Sequence, residues 1–281
     1  MRTTIQQVKD FKAKGEKFAM LTAYDYSIAQ IVDRAGIPII LVGDSLGTVI
    51  LGYETTIPVT MDDMIYHTKA VVRGSEKAMV VGDMPFMSYQ VTTEDALRNA
   101  ARFIQEAGAQ AIKLEGGVTV ADKVKKLVDC GIPVMGHIGL TPQSINQLSG
   151  HKIQGRNLEA ARKLLADAKA LEVAGAFAVV LETMPTELSS FITSKIGIPT
   201  IGIGAGAGCD GQVQVISDLL GLFSDFVPKH THQYAKLAEA MSEGITAYAT
   251  DVKTGAFPTE QQSFTMDASI IDALRQENET A

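Results

Sequence analysis

Cysteine is nearly absent from this 281-residue chain, which has two, Cys130 and Cys209. Two thiols so far apart in sequence build neither a disulfide framework nor a cysteine-based zinc site, so both read as small apolar fillers in a reducing compartment. Positive charge is also short: 25 Lys and Arg face 32 Asp and Glu, a formal net charge of −7. That balance leaves no basic face for a nucleic acid backbone or an anionic membrane and points to small molecules as partners. No apolar run approaches the ~18 residues that span a bilayer. Met1-Arg2-Thr3-Thr4 leads straight into an amphipathic segment without a signal-peptide core. A cytoplasmic protein is expected.

What the chain does have is a repeated buried strand that stops on an acid. Ile39-Ile40-Leu41-Val42-Gly43-Asp44-Ser45 is an apolar run ending in a carboxylate, and Met79-Val80-Val81-Gly82-Asp83 repeats its Val-Gly-Asp ending. Ala111-Ile112-Lys113-Leu114-Glu115 and Ala178-Val179-Val180-Leu181-Glu182 are variants. Continuous apolar runs are the mark of parallel strands buried on both faces, and the C-terminal ends of such strands carry polar chemistry in α/β enzymes.

Between the strands the punctuation is regular. Gly36-Ile37-Pro38, Gly131-Ile132-Pro133 and Gly197-Ile198-Pro199 each separate a helical pattern from an apolar run, glycine ending the helix and proline preventing its resumption. Gly108-Ala109 and Gly175-Ala176 serve as proline-free versions. Strands are expected over 18–22, along the stretch 39–45, and over 78–81, 111–114, 134–136, 177–181 and 200–203, with a weak eighth at 225–227. Helices are expected over 27–35, 61–73, 94–107, 120–130, 158–174, 186–196 and 212–219. Eight alternating units predict one (β/α)8 TIM barrel across residues 1–281, in the size range of ~250 residues. An open doubly wound sheet is the alternative. A short helix over 4–14 is placed to plug the barrel bottom, 234–251 reads as a closing helix, and roughly 265–281 as a loose polar tail. Two long connections, 46–60 and 138–157, emerge on the face of the acids and read as lids or binding loops.

Asp44, Asp83 and Glu115 end three sequential strands, and three carboxylates that close cannot all stay ionised without a cation. An all-oxygen donor set fits Mg²⁺, which keeps waters and exchanges them for substrate oxygens. Lys113 shares the inward face with Glu115, two residues on, where it can pair with that acid or bind a substrate carboxylate. His137 ends the fifth strand as a candidate hydrogen-bond donor to substrate. Glu182, on the sixth strand and apart from the metal-side acids, is the candidate general base, because an apolar setting raises a carboxylate toward neutrality.

Two further motifs are weaker. Gly43-Asp44-Ser45-Leu46 matches the nucleophile block of GDSL-type hydrolases, but the Asp-x-x-His those enzymes need late in the chain is missing. Residues 202–208, Gly-Ile-Gly-Ala-Gly-Ala-Gly, look like a phosphate cradle yet lack the acidic ribose partner of a dinucleotide site, leaving a tight turn or a close backbone approach as the other reading.

The blocks LTAYDYSIA, LVGDSLG, GYETTIPVT, YHTKAV, DMPFMSY, KLEGG, GHIGLTPQS, VLETMP and GIGAGAGCDGQ, in that order over 18–264, resemble the 3-methyl-2-oxobutanoate (ketopantoate) hydroxymethyltransferases. The resemblance implies a (β/α)8 barrel that moves a one-carbon unit from 5,10-methylenetetrahydrofolate to 3-methyl-2-oxobutanoate through a Mg-stabilised enolate, giving 2-dehydropantoate for pantothenate synthesis. It carries Asp44, Asp83 and Glu115 over as metal ligands, Asp44, Ser45, Asp83 and Lys113 as ketoacid contacts, and Glu182 as proton acceptor. It also implies a homodecamer, which composition and spacing do not. Gln262 departs from the pattern, standing where many relatives carry histidine. The rival is a Mg²⁺-dependent lyase of the phosphoenolpyruvate mutase and isocitrate lyase type.

Overall fold

The computed structural model describes residues 1–222 and 227–279. Eight parallel strands close into a barrel in sequence order: β1 (Phe18–Thr22), β2 (Ile39–Val42), β3 (Met79–Asp83), β4 (Ala111–Glu115), β5 (Val134–Gly139), β6 (Ala178–Glu182), β7 (Thr200–Ile203) and β8 (Gly211–Gln214). Closure is made by β8, which pairs with β7 and with β1 through Phe18↔Gly211 and Met20↔Val213. The open-sheet alternative is thereby set aside.

The eighth strand is where sequence and structure part. The expected helix over 212–219 is a strand at Gly211–Gln214 followed by one helical turn, Ile216–Leu219. The glutamines at 212 and 214 hide the strand pattern, because Gln212 faces out while Val213 faces in. Of the strand expected at 225–227, Asp225 and Phe226 lie outside the described residues, and Val227 belongs to no element.

The barrel interior is one apolar cluster and the space between strands and helices another. Inside, Met20, Ile39, Met79, Val81, Met135, Val180 and Ile201 pack together. Val8 of the helix Ile5–Lys14 is fully buried in the same cluster, and Phe11 stacks on Phe18 with ring centroids 5.0 Å apart. This helix therefore plugs the N-terminal end of the barrel. It starts at a capping box in which Thr4 and Gln7 satisfy each other's free backbone N–H groups.

Four of the five glycine joints behave as expected: Gly36, Gly108, Gly131 and Gly175 have φ of +81°, +76°, +86° and +94°. Gly197 does not enter the left-handed region; its N–H instead donates to the carboxylate of Glu172. Residues 204–208 are packed against the helix Thr186–Lys195, where a Cβ on Gly206 would meet Thr186 and one on Gly208 would meet Ser190 Oγ at 2.0 Å. The glycine-rich run is thus a close backbone approach to a helix.

The chain divides into two compact units, Met1–Tyr234 and Ala235–Ala281. The second comprises the helix Leu237–Thr254, a short turn at Glu260–Gln262 and the helix Ala268–Glu279. The end expected to be loose is helical because Ile270, Ile271 and Leu274 recur at helical spacing within good helix formers. Gln262 accepts the backbone N–H of Thr259 at 3.2 Å, closing a capping box. Among the described residues no helix is long and apolar enough to cross a membrane.

Candidate active site

All seven side chains singled out from the sequence line one cavity of about 380 Å³. Asp44 and Ser45 follow β2, Asp83 ends β3, Lys113 and Glu115 lie on β4, His137 on β5, and Glu182 ends β6. Period-two alternation turns Lys113 and Glu115 to the same inward face. Register then fixes the neighbours, setting Asp83 against Lys113 and Glu115 against His137.

Each of the three acids commits one oxygen to the scaffold. Asp83 Oδ2 accepts the backbone N–H of Asp44 at 3.2 Å, Glu115 Oε2 that of Gln143 at 3.1 Å, and Asp44 Oδ2 accepts from Gln143 Nε2 at 2.9 Å. The other oxygens are left over. Asp83 Oδ1 and Glu115 Oε1 are buried and accept no aligned hydrogen bond, although Lys113 Nζ stands 2.8 Å from the first and His137 Nδ1 3.3 Å from the second. The close partner of Lys113 is therefore Asp83 across the β3–β4 register, where the sequence left Glu115 and a substrate carboxylate as the two readings.

Burial and crowding set the charges. Asp44 is held well above the usual carboxylate range by loss of solvent and by the neighbouring Asp83 and Glu115. Burial also raises Asp83, with the Lys113 ammonium opposing it. For Lys113 burial acts downward, but Asp83, Glu115 and Asp44 together outweigh it and hold the ammonium charged. Burial and Lys113 likewise act to lower His137, yet its contacts with Glu115 and Glu182 carry it up to about 9.

Glu182 is less isolated than its strand position implied. Its Oε2 lies 3.2 Å from His137 Nε2, so one imidazole spans the base candidate on β6 and the acid on β4. The turn after Glu182 is strained: Thr183, a β-branched residue, has φ of +48°. It is held from both sides, its N–H donating to Ile203 O at 2.8 Å and its carbonyl accepting from Gln154 N–H at 2.9 Å.

Ser45 Oγ is 2.8 Å from the hydroxyl of Tyr24, which is buried. The serine is tied to a phenol and not to a histidine, in keeping with the missing hydrolase motif. Tyr24, Tyr89 and Gln143 escaped the sequence reading; all three stand inside blocks that carry the resemblance, but a tyrosine or glutamine beyond an apolar run does not signal a site by itself. Both long connections do reach the cavity, one through Thr56 and the other through Leu140, Pro142 and His151.

Among the described residues no three of His, Cys, Asp and Glu enclose a metal ion by themselves. The leftover oxygens of Asp83 and Glu115 are hard carboxylate donors, the ligand type that hard cations carrying waters take.

The family described as Ketopantoate hydroxymethyltransferase matches residues 2–260. A 3-methyl-2-oxobutanoate hydroxymethyltransferase of Dehalococcoides mccartyi is 66% identical over 275 residues, covering 98% of both chains. That of Chloroflexus aurantiacus is 57% identical over 273 residues, covering 97% of this chain and 96% of the other. Among solved structures, 2,3-dimethylmalate lyase, a PEP mutase/isocitrate lyase superfamily member, superposes with a TM-score of 0.58 at 15% identity, covering 100% of this chain and 97% of that one.

Proposed function

The chain belongs to the ketopantoate hydroxymethyltransferase family, and from that premise we propose that it transfers a one-carbon unit from 5,10-methylenetetrahydrofolate to C3 of 3-methyl-2-oxobutanoate, giving 2-dehydropantoate. The observation that carries this reading is the set of leftover acid oxygens beside a charged lysine, with a further carboxylate reached through His137. An α-ketoacid has a carboxylate, a keto oxygen and an acidic neighbouring C–H. The cavity offers a group for each.

Asp44, Asp83 and Glu115 would hold Mg²⁺, which when bound withdraws electron density from the ketoacid oxygens and makes the C3 proton more acidic. Lys113 and Ser45 bind the carboxylate end, the first by charge and the second by its hydroxyl, which Tyr24 fixes. Glu182 takes the C3 proton. His137, protonated near neutrality, sets its positive charge beside the developing oxygen charge and keeps Glu182 aimed at the cavity. Opening of one carbon–nitrogen bond of the folate methylene leaves an iminium, and the enolate carbon attacks it to form the new C–C bond; the second carbon–nitrogen bond breaks as water adds its oxygen to that carbon, and tetrahydrofolate leaves with the protons on its nitrogens. That methylene brings no oxygen, so the product hydroxyl derives from one water; the connections that line the cavity through Thr56, Pro142 and His151 limit access for others.

The lyase reading shares the barrel, but 15% identity carries a fold and no more, whereas the transferase relatives match along nearly the whole chain. Incubation of the protein with 3-methyl-2-oxobutanoate, Mg²⁺ and methylenetetrahydrofolate, followed by mass detection, is expected to yield the hydroxymethylated acid. Its absence, or cleavage of a 2,3-dialkylmalate in its place, would overturn the proposal.

A further inference from the structure

Gln143 stands in the middle of the short turn Pro142–Ser144 of the β5 connection and is buried. Its side chain makes four hydrogen bonds. Nε2 donates to Asp44 Oδ2 and to Met84 O, each at 2.9 Å, while Oε1 accepts from Tyr89 Oη at 2.8 Å and Gln90 Nε2 at 3.2 Å. Two acceptors on one side and two donors on the other allow a single orientation of the amide. The same residue's backbone N–H holds Glu115 Oε2. Tyr89 closes the network by accepting the N–H of Glu115 at 3.0 Å.

One loop residue thus grips two acids that belong to different strands, β2 and β4, and each grip takes up one carboxylate oxygen. Without it, Asp44 would be free to turn either oxygen inward, and its buried neighbours Asp83 and Glu115 would push it away.

We propose that Gln143 is a positioning residue: fixed by Tyr89, it anchors one oxygen of Asp44 and one of Glu115 so that the other oxygen of each stays free for the cation and the ketoacid. The inference rests on the metal-assisted reading above. It also explains why the connection after β5 is long, since a short loop from His137 could not reach back to the end of β2.

The test is calorimetric titration of Mg²⁺ alone into the full-length protein. Gln143→Leu keeps the backbone bond to Glu115 but loses the grip on Asp44, and its Mg²⁺ affinity is expected to fall about tenfold or more, the usual reach of groups that orient metal ligands. Tyr89→Phe, which removes one hydroxyl, is expected to shift affinity in the same direction by a smaller factor. A merely structural role would lower the thermal midpoint of both variants and leave the affinity of the folded protein where it was. Folded Gln143→Leu with wild-type Mg²⁺ affinity would overturn the inference; if that variant does not fold, unchanged affinity in Tyr89→Phe overturns it. Wild-type protein that binds no Mg²⁺ removes the metal reading and this inference together. Normal wild-type binding with unaffected variants removes the inference alone.

Discussion

His137 Nε2 lies 3.2 Å from Glu182 Oε2 while the opposite ring nitrogen lies 3.3 Å from Glu115 Oε1. One imidazole thus stands between the base candidate on β6 and the acid on β4. Glu182→Gln retains a polar partner for the ring and should fold. It is expected to bind Mg²⁺ and 3-methyl-2-oxobutanoate normally yet to lose exchange of the C3 proton with deuterated water, without folate present, by about 10²–10⁴-fold. Exchange at the wild-type rate, followed by proton NMR, would take the base role away from Glu182.

Asp44 is pressed by two like charges in a buried setting, so its charge costs stability in the absence of a cation. Asp44→Asn keeps an oxygen for Gln143 and removes that charge. Without metal the variant is expected to melt at or above the wild-type temperature, and adding Mg²⁺, which should raise the wild-type midpoint by mass action, should leave it unmoved. Scanning calorimetry with and without Mg²⁺ reads both effects. An equal Mg²⁺-induced shift in the two proteins would contradict the assignment of Asp44 to the metal.

The strand-end residues were legible in the sequence because buried parallel strands are written as apolar runs, and an acid that ends such a run stands out. The same rule fails at Gly211–Gln214, where one valine between two glutamines closes the barrel. Position along a strand located Asp44, Asp83, Glu115 and Glu182, but distance across strands was not written anywhere: the Lys113 contact with Asp83 follows from register. Gln143 was hidden for a different reason. It reaches the site from a loop, and nothing local marks a glutamine in a loop as facing inward.

The loop before β3 is held by a second carboxylate far from the cavity. Asp33 accepts the backbone N–H groups of Glu76 at 3.0 Å, Lys77 at 3.0 Å and Ala78 at 2.7 Å. Burial acts to raise it, but these donors and Arg2 outweigh that and depress it below the usual carboxylate value. A depressed folded-state pKa gives stability that is present above the unfolded value of 3.8 and is lost as pH falls through the lower folded value. Asp33→Ala strands those donors and is expected to cost about 2–3 kcal/mol at neutral pH. Its unfolding free energy should also fall less steeply than that of wild type as pH drops below ~4. Parallel acid profiles by urea denaturation would refute this.

Gly139 ends β5 opposite Glu182, with φ of +101°, and a Cβ there would fall 2.1 Å from the carbonyl oxygen of Glu182. That oxygen already accepts the N–H of Leu140 at 2.9 Å, so the two strand ends are locked backbone to backbone. A methyl group has no flexible neighbour to displace and must push the β6 end itself, adding to the strain at Thr183. Gly139→Ala is therefore expected to cost about 2 kcal/mol or more, lowering the melting temperature by roughly 4–8 °C. It should also slow C3 proton exchange by about tenfold or more, since a shift of ~1 Å in a catalytic group suffices for such losses. Mg²⁺ affinity, which the proposed ligands on β2 to β4 would set, should stay at the wild-type value. Loss of metal binding with proton exchange intact would mean that the β5 and β6 ends do not place the base.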